Sequence, residues 1–319
     1  MSDGGSITIF GLGFGSKSPV APVSFLDFES GATVGQPIPN PYNSWVPSSD
    51  GGSSHWPLVV SSYSGRTSKM IRCNPTAASG DMKSNIYLDH GGNRYWYLTY
   101  DSYKDWPADQ SGRSKVFRIW SLAAGPPEMI YGMDPALIVM LNTTGAGSVT
   151  DYDAPMVRQQ WSRDEAFLDS GTAGSANATY KFWEHTPGTS IQTFNRTTGF
   201  AMLLDSDHPV YGVAIGREFC DLIENISHYI DNVYVDNTQA RVEIGDNAVW
   251  ANCIRREIQI PHTTWNDTTI QATVRQGTFP AGSAFIFVVN ESGVASAGVA
   301  VTFGQAATRS MGAKPGFLP

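Results

Sequence analysis

Hydrophobic and polar residues alternate in short segments along most of this chain, and the three-to-four spacing of an amphipathic helix is nearly absent. "VSFLDF", "RYWYLTY", "KVFRIW", "ALIVML", "TYKFWEH", "GFAMLLD", "HYIDNVYVD", "REIQI", "TIQATV" and "AFIFVVN" read as strands, separated by Gly, Pro, Asn, Asp and Ser. Only "AFLDSG" offers a helical candidate, and it is short. The pattern predicts an all-β protein whose strands bury one face and turn at close intervals, as in a sandwich or jelly roll. Alternation also sorts side chains onto faces. In "KVFRIW", Val116, Arg118 and Trp120 share one side, and Phe117 and Ile119 the other. In "TYKFWEH", Lys181, Trp183 and His185 oppose Tyr180, Phe182 and Glu184.

Composition narrows the partners. Of the 319 residues 41% are hydrophobic and 16% charged, with 32 Gly and 19 Pro, which is a globular, turn-rich balance. The net charge of −8 and the lack of any Lys/Arg cluster argue against nucleic acid or an anionic membrane as partner. The longest apolar run, Ala136 to Leu141, is too short to cross a bilayer, and "MSDGGSITIF" does not read as a signal peptide. Cys73, Cys220 and Cys253 are dispersed and odd in number, which suits free thiols in a chain folded in a reducing cytoplasm.

The two ends of the chain belong together by pattern. "ITIFGLGFGSKSP" is one strand and a glycine-rich turn, after which the pattern changes. Beyond Ala240, "ARVEIGD", "REIQI", "TTIQATVRQG", "AFIFVVNESG" and "GVAVTFG" supply five strands, where an immunoglobulin-like sandwich generally has about seven. The opening segment and "WNDTTIQATVRQGTFPAGSAFIFVVNESGVAS" (Trp265 to Ser296) resemble IPT/TIG-type immunoglobulin-like domains. The resemblance implies that residues 1–18 and 239–305 form one small sandwich, with residues 19–238 inserted after its first strand. The competing arrangement has that strand joining the middle segment's sheet. Residues 19–238, with their Trp/Tyr-rich strands, resemble a concanavalin A-like lectin/glucanase jelly roll, an architecture shared with polysaccharide lyases and laminin-G-like modules. Residues 306–319 form a tail suited to docking at an interface.

The search for chemistry is largely negative. "GLGFGS" lacks the third glycine of a dinucleotide fingerprint and is followed by Pro19 rather than a helix. Nucleophile-elbow, zincin and phosphate-loop motifs are absent, as is the E-x-D-x-x-E strand of jelly-roll hydrolases; "DEAFLDSG" does not match it. A lyase needs His or Tyr as base beside a group that neutralises the uronate. "YKFWEH" offers such residues, and "SGRTSKMIR" has Lys69 where a lyase strand carries an acid. Tyr97, Arg118, Trp120, Lys181, Trp183 and His185 are the candidates for glycan binding or for a protein interface. The bland reading of each aromatic is packing between sheets. Asp27, Glu29, Asp231 and Asp236 are weak candidates for calcium at the joined ends, solvated strand ends being the simpler reading, and no other cofactor is indicated. On these grounds the chain is expected to be a non-enzymatic phage virion component, a decoration, head-fibre or tail protein. Its expected partners are other virion proteins, copies of itself and cell-surface polysaccharide. The alternative is a polysaccharide lyase or glycoside hydrolase with an unrecognised active site.

Overall fold

The computed structural model describes residues 1–49, 55–74, 82–107, 114–121, 125–134, 136–143, 147–152, 156–186, 192–200, 202–203, 210–220 and 226–304. The chain is all-β. In order come β1 (Ser6–Phe10), β2 (Ser24–Leu26), β3 (Val46–Ser49), β4 (Leu58–Val60), β5 (Met70–Cys73), β6 (Met82–Asp89) and β7 (Tyr95–Asp105). Then follow β8 (Ser114–Ser121), β9 (Gly125–Asp134), β10 (Ala136–Thr143), β11 (Gly147–Tyr152), β12 (Trp161–Asp169), β13 (Ala178–His185) and β14 (Gln192–Phe200). The last are β15 (Gly212–Cys220), β16 (Ser227–Asp236), β17 (Arg241–Gly245), β18 (Arg256–Trp265), β19 (Thr269–Thr273), β20 (Gly282–Val289) and β21 (Val299–Phe303). The segment expected to come closest to a helix, "AFLDSG", lies in β12 and the turn after it. The tail at 306–319 lies outside the described residues, as does part of "GFAMLLD".

Two compact units divide the chain. One takes Met1–Phe25 and the chain from Tyr234 onward, and the other takes Leu26–Thr186 and Ser190–Val233. In the smaller unit β1 pairs antiparallel with β19, Ser6 opposite Thr273, so the opening strand joins the C-terminal segment. Its sheet runs β1-β19-β18-β17-β20-β21. β18 joins the halves: its beginning pairs with β17, its end with β19, and the register shifts between Pro261 and Trp265. The glycine-rich turn has a packing purpose. Gly13 and Gly15 adopt φ 79° and 71°, which a side chain resists, and the turn tucks Phe14 into the core with Trp265, whose indole N–H donates to the Phe14 carbonyl at 3.3 Å.

Beside this core Lys17 is wholly buried. Its Nζ lies 2.9 Å from Asp236 Oδ2 and donates to the carbonyls of Pro19, Val20 and Ala21 at 3.0, 2.9 and 3.3 Å. Burial pushes the lysine pKa down and the aspartate pKa up, with the partner charge opposing both. Lys17→Met leaves a buried carboxylate and three carbonyls without their cation. It is expected to cost about 3–5 kcal/mol, read from chemical denaturation.

The larger unit is a sandwich of two antiparallel sheets. One runs β11-β10-β9-β8-β15-β6-β3; the other runs β14-β13-β12-β7-β16-β5-β4, with β2 beside β16. Phe117 of β8 marks the interior, its ring 6.5 Å from Tyr100 of β7 and 5.9 Å from Phe182 of β13. That interior also holds charge. Lys104 Nζ, fully buried, donates to Asp164 Oδ1 at 3.0 Å and Glu184 Oε1 at 2.7 Å, and Ser162 lies within 3.3 Å. Glu184 takes a further bond from the Val157 N–H at 2.8 Å, and burial pushes its pKa up to about 7 despite Lys104.

Candidate functional site

The site follows from the period of two along three adjacent strands. Tyr100, Asp164, Phe182 and Glu184 point into the sandwich, so their alternates lie on the sheet's other side. The register aligns those alternates in rows across β7, β12 and β13. Asp101, Arg163 and His185 make one row, Thr99, Glu165 and Trp183 the next, and Tyr97, Phe167 and Lys181 the third.

Diagonal contacts tie the rows together. The Tyr97 hydroxyl donates to Glu165 Oε1 at 2.8 Å, and His185 Nε2 lies 3.1 Å from Glu165 Oε2. Arg163 Nε donates to Thr99 Oγ1 at 2.9 Å, beside them. Tyr97 is fully buried and the Glu165 side chain is 3% exposed, while that of His185 keeps 11%. The carboxylate is thus the shielded centre, and the imidazole is the member that reaches outward. In the tautomer that donates to Glu165, Nδ1 carries the lone pair, so the carboxylate orients the ring.

Along β7 the same face changes character. The turn Tyr63-Ser64-Gly65-Arg66 closes with reciprocal backbone bonds of 3.1 and 3.0 Å, and Ser64 and Gly65 take φ 46° and 84°, a type I′ tip. From it Tyr63 stacks on Tyr229 at 3.6 Å and its hydroxyl donates to Asp105 at 2.6 Å. Arg66 lies 4.1 Å over the Trp161 ring and bonds Asp101 at 2.6 Å and Asp231 at 3.2 Å. This tip straps β16, β7 and β12 together. Asn232, at φ 50° inside a strand, completes the cluster, its side chain donating to Asp101 at 2.7 Å.

Asp231 is 1% exposed and also accepts from Ser68 Oγ at 2.6 Å and the Asn232 N–H at 2.8 Å. Burial raises its pKa to about 7, with Arg66 opposing and Asp101 reinforcing the rise. An unfolded aspartic acid titrates at about 3.9, so the folded chain holds an extra proton between the two values. Stability from this group is full below about 4 and lost as pH rises to about 7. Thermal unfolding across that range is expected to show the decline, and Asp231→Asn to flatten it.

Four of the six candidate residues, Tyr97, Lys181, Trp183 and His185, lie on this face. Arg118 and Trp120 do not. They sit on β8 in the opposite sheet, whose Phe117 takes the inner side, so they occupy the other outer face of the sandwich, with Arg118 5.3 Å over the Trp120 ring. The six candidates therefore divide between two faces. The calcium candidates do not converge: among the described residues no group of three His, Cys, Asp or Glu side chains is placed to hold a metal. Asp27 accepts the Glu29 N–H, Glu29 accepts the Lys69 N–H, and Asp231 and Asp236 are engaged by Arg66 and Lys17. Beyond the Ser-Gly pair of the tip, nothing in the local sequence pattern marks Glu165, Arg163, Tyr63 or Arg66.

No family model and no curated protein matches the chain. Among solved structures it is similar to a marine PL-14 alginate lyase from Aplysia kurodai, at 12% identity and TM-score 0.46 over 58% of this chain and 88% of that one. The alginate lyase Aly36B is similar at 12% identity and TM-score 0.44, over 68% and 97%. Lectin II from Ulex europaeus is similar at 7% identity and TM-score 0.42, over 68% and 99%. The expectation of a phage virion component is contradicted by these findings, which are alginate lyases and a lectin.

Proposed function

We propose that the outer face of the eight-stranded sheet binds an acidic polysaccharide and cleaves it by β-elimination. The observation that carries this is the Tyr97–Glu165–His185 constellation with Arg163 and Lys181 in the adjoining rows. Elimination needs a base for the proton α to a uronate carboxylate, a cation to hold the enolate that forms, and a proton for the departing glycosyl oxygen. His185, oriented by Glu165, takes the α-proton on Nδ1. Arg163 and Lys181 supply positive charge for the carboxylate. The carbon–oxygen bond β to the carboxylate breaks, a carbon–carbon double bond forms, and the imidazolium returns its proton to the leaving oxygen. Trp183 offers a ring to the apolar side of the sugar.

Hydrolysis fits less well. It requires two carboxylates poised on the scissile bond, whereas Glu165 is bonded to Tyr97 and His185, and Asp101 to Arg66 and Asn232. The test is incubation with alginate, polygalacturonate, hyaluronan and neutral glucans, following the ultraviolet absorbance of unsaturated uronate. Absorbance rising with at least one uronan and with no glucan supports the reading. A flat signal with every uronan, with no retardation in affinity gels, overturns it. For the smaller unit we propose an immunoglobulin-like module, supported by the closure of β1 on β19.

A further inference from the structure

Tyr95 stands apart from the other aromatics of the larger unit. It is 40% exposed. It is also held. Its ring stacks on Phe167 with centroids 6.3 Å apart and planes 9° from parallel, and the Arg94 guanidinium lies 5.0 Å from its centre. Arg94 is itself pinned by Asp169, at 2.7 Å from Nε to Oδ1 and 3.1 Å from Nη2 to Oδ2. Asp169 is the cross-strand neighbour of Tyr95, and its Oδ1 also takes the Gly171 N–H at 2.9 Å. A bidentate pair with further anchoring is geometrically fixed. The ring is therefore rigid and open at once, so binding on it costs little ordering entropy.

Position gives the ring its use. Tyr95 lies two residues from Tyr97 on the same face of β7, a strand advance of roughly 6.6 Å. We propose that Tyr95 is a sugar-stacking subsite at the outer end of this face, taking the apolar C–H side of a hexopyranose one unit beyond the residue being cleaved. The proposal rests on the polysaccharide reading above and adds a prediction about chain length. Such a platform contributes only when the ligand is long enough to reach it.

The experiment is calorimetric titration with ladders of oligomannuronate and oligogalacturonate, in a His185→Ala background so that nothing is consumed. Affinity is expected to rise with length, with one step lost in Tyr95→Ala and kept in Tyr95→Phe and Tyr95→Trp. The step is expected to be on the order of 3–10-fold, the worth of an aromatic contact. An unchanged step in Tyr95→Ala overturns the subsite while leaving the polysaccharide reading intact. Absence of binding at every length by the background protein overturns both.

Discussion

Replacing His185 with alanine is expected to lower kcat on an acidic polysaccharide by roughly 10²–10⁴-fold, the usual worth of a positioned general base. KM is expected to change far less, because Arg163, Lys181 and Trp183 remain to hold the substrate. Glu165→Gln separates base from orienter. The amide keeps the size of the side chain but can donate to Nε2, which favours the opposite tautomer and turns the lone pair away from the substrate. That variant is expected to lose kcat by a similar factor. Tyr97→Phe tests the remaining member. Its hydroxyl is buried against Glu165, so the account expects a loss smaller than that of His185→Ala, accompanied by a shifted profile.

A large effect on stability is expected at Lys104. This one ammonium serves two buried carboxylates, Asp164 and Glu184, with no exposed side chain to relax toward water. Lys104→Met leaves both acids in the interior. One or both must take up protons, and the loss is expected to be about 3–5 kcal/mol. In a unit of this size that lowers the unfolding midpoint by roughly 6–20 °C. A triple variant, Lys104→Met with Asp164→Asn and Glu184→Gln, removes the stranded charges and is expected to be more stable than the single one. Scanning calorimetry of the three proteins decides it. If Lys104→Met alone melts like the wild type, the cluster is not what holds β7, β12 and β13 in register.

The buried cluster also explains which parts of the molecule were legible in the sequence. β13 alternates buried and half-buried residues without exception from Ala178 to His185, so its faces could be sorted from the sequence before any partner was known. β12 could not. "WSRDEAFLD" carries four charged residues in nine, and nothing in that string says that Asp164 meets Lys104 inside while Arg163 and Glu165 meet Thr99, Tyr97 and His185 outside. Its partners on β7 lie some sixty residues earlier, beyond the reach of local patterning. Glu165, the centre of the site, is not legible for that reason, and the neighbouring "AFLDSG" reads as the nearest thing to a helix.

Arg118 and Trp120 are a second case. Alternation correctly sets them against Phe117 and Ile119, but it cannot say which of two sheets a strand enters. β8 enters the sheet opposite β13, so two faces that look alike in sequence point to opposite sides of the sandwich. β15, with Gly216 at φ 129° and register shifts on both edges, was likewise unreadable. The strap from Tyr63 to Arg66 depends on two left-handed residues and five partners distant in sequence, so local pattern gives only its turn.

The central claim is the bond-breaking chemistry, and the most direct test is the mass of the products made in heavy-oxygen water. Elimination adds no solvent oxygen: each cut yields a fragment one water lighter than its hydrolytic counterpart, unlabelled and ultraviolet-absorbing, and this is the expected result. Fragments carrying the heavy oxygen at the new end, with no double bond, would contradict the account and transfer the face to a hydrolase.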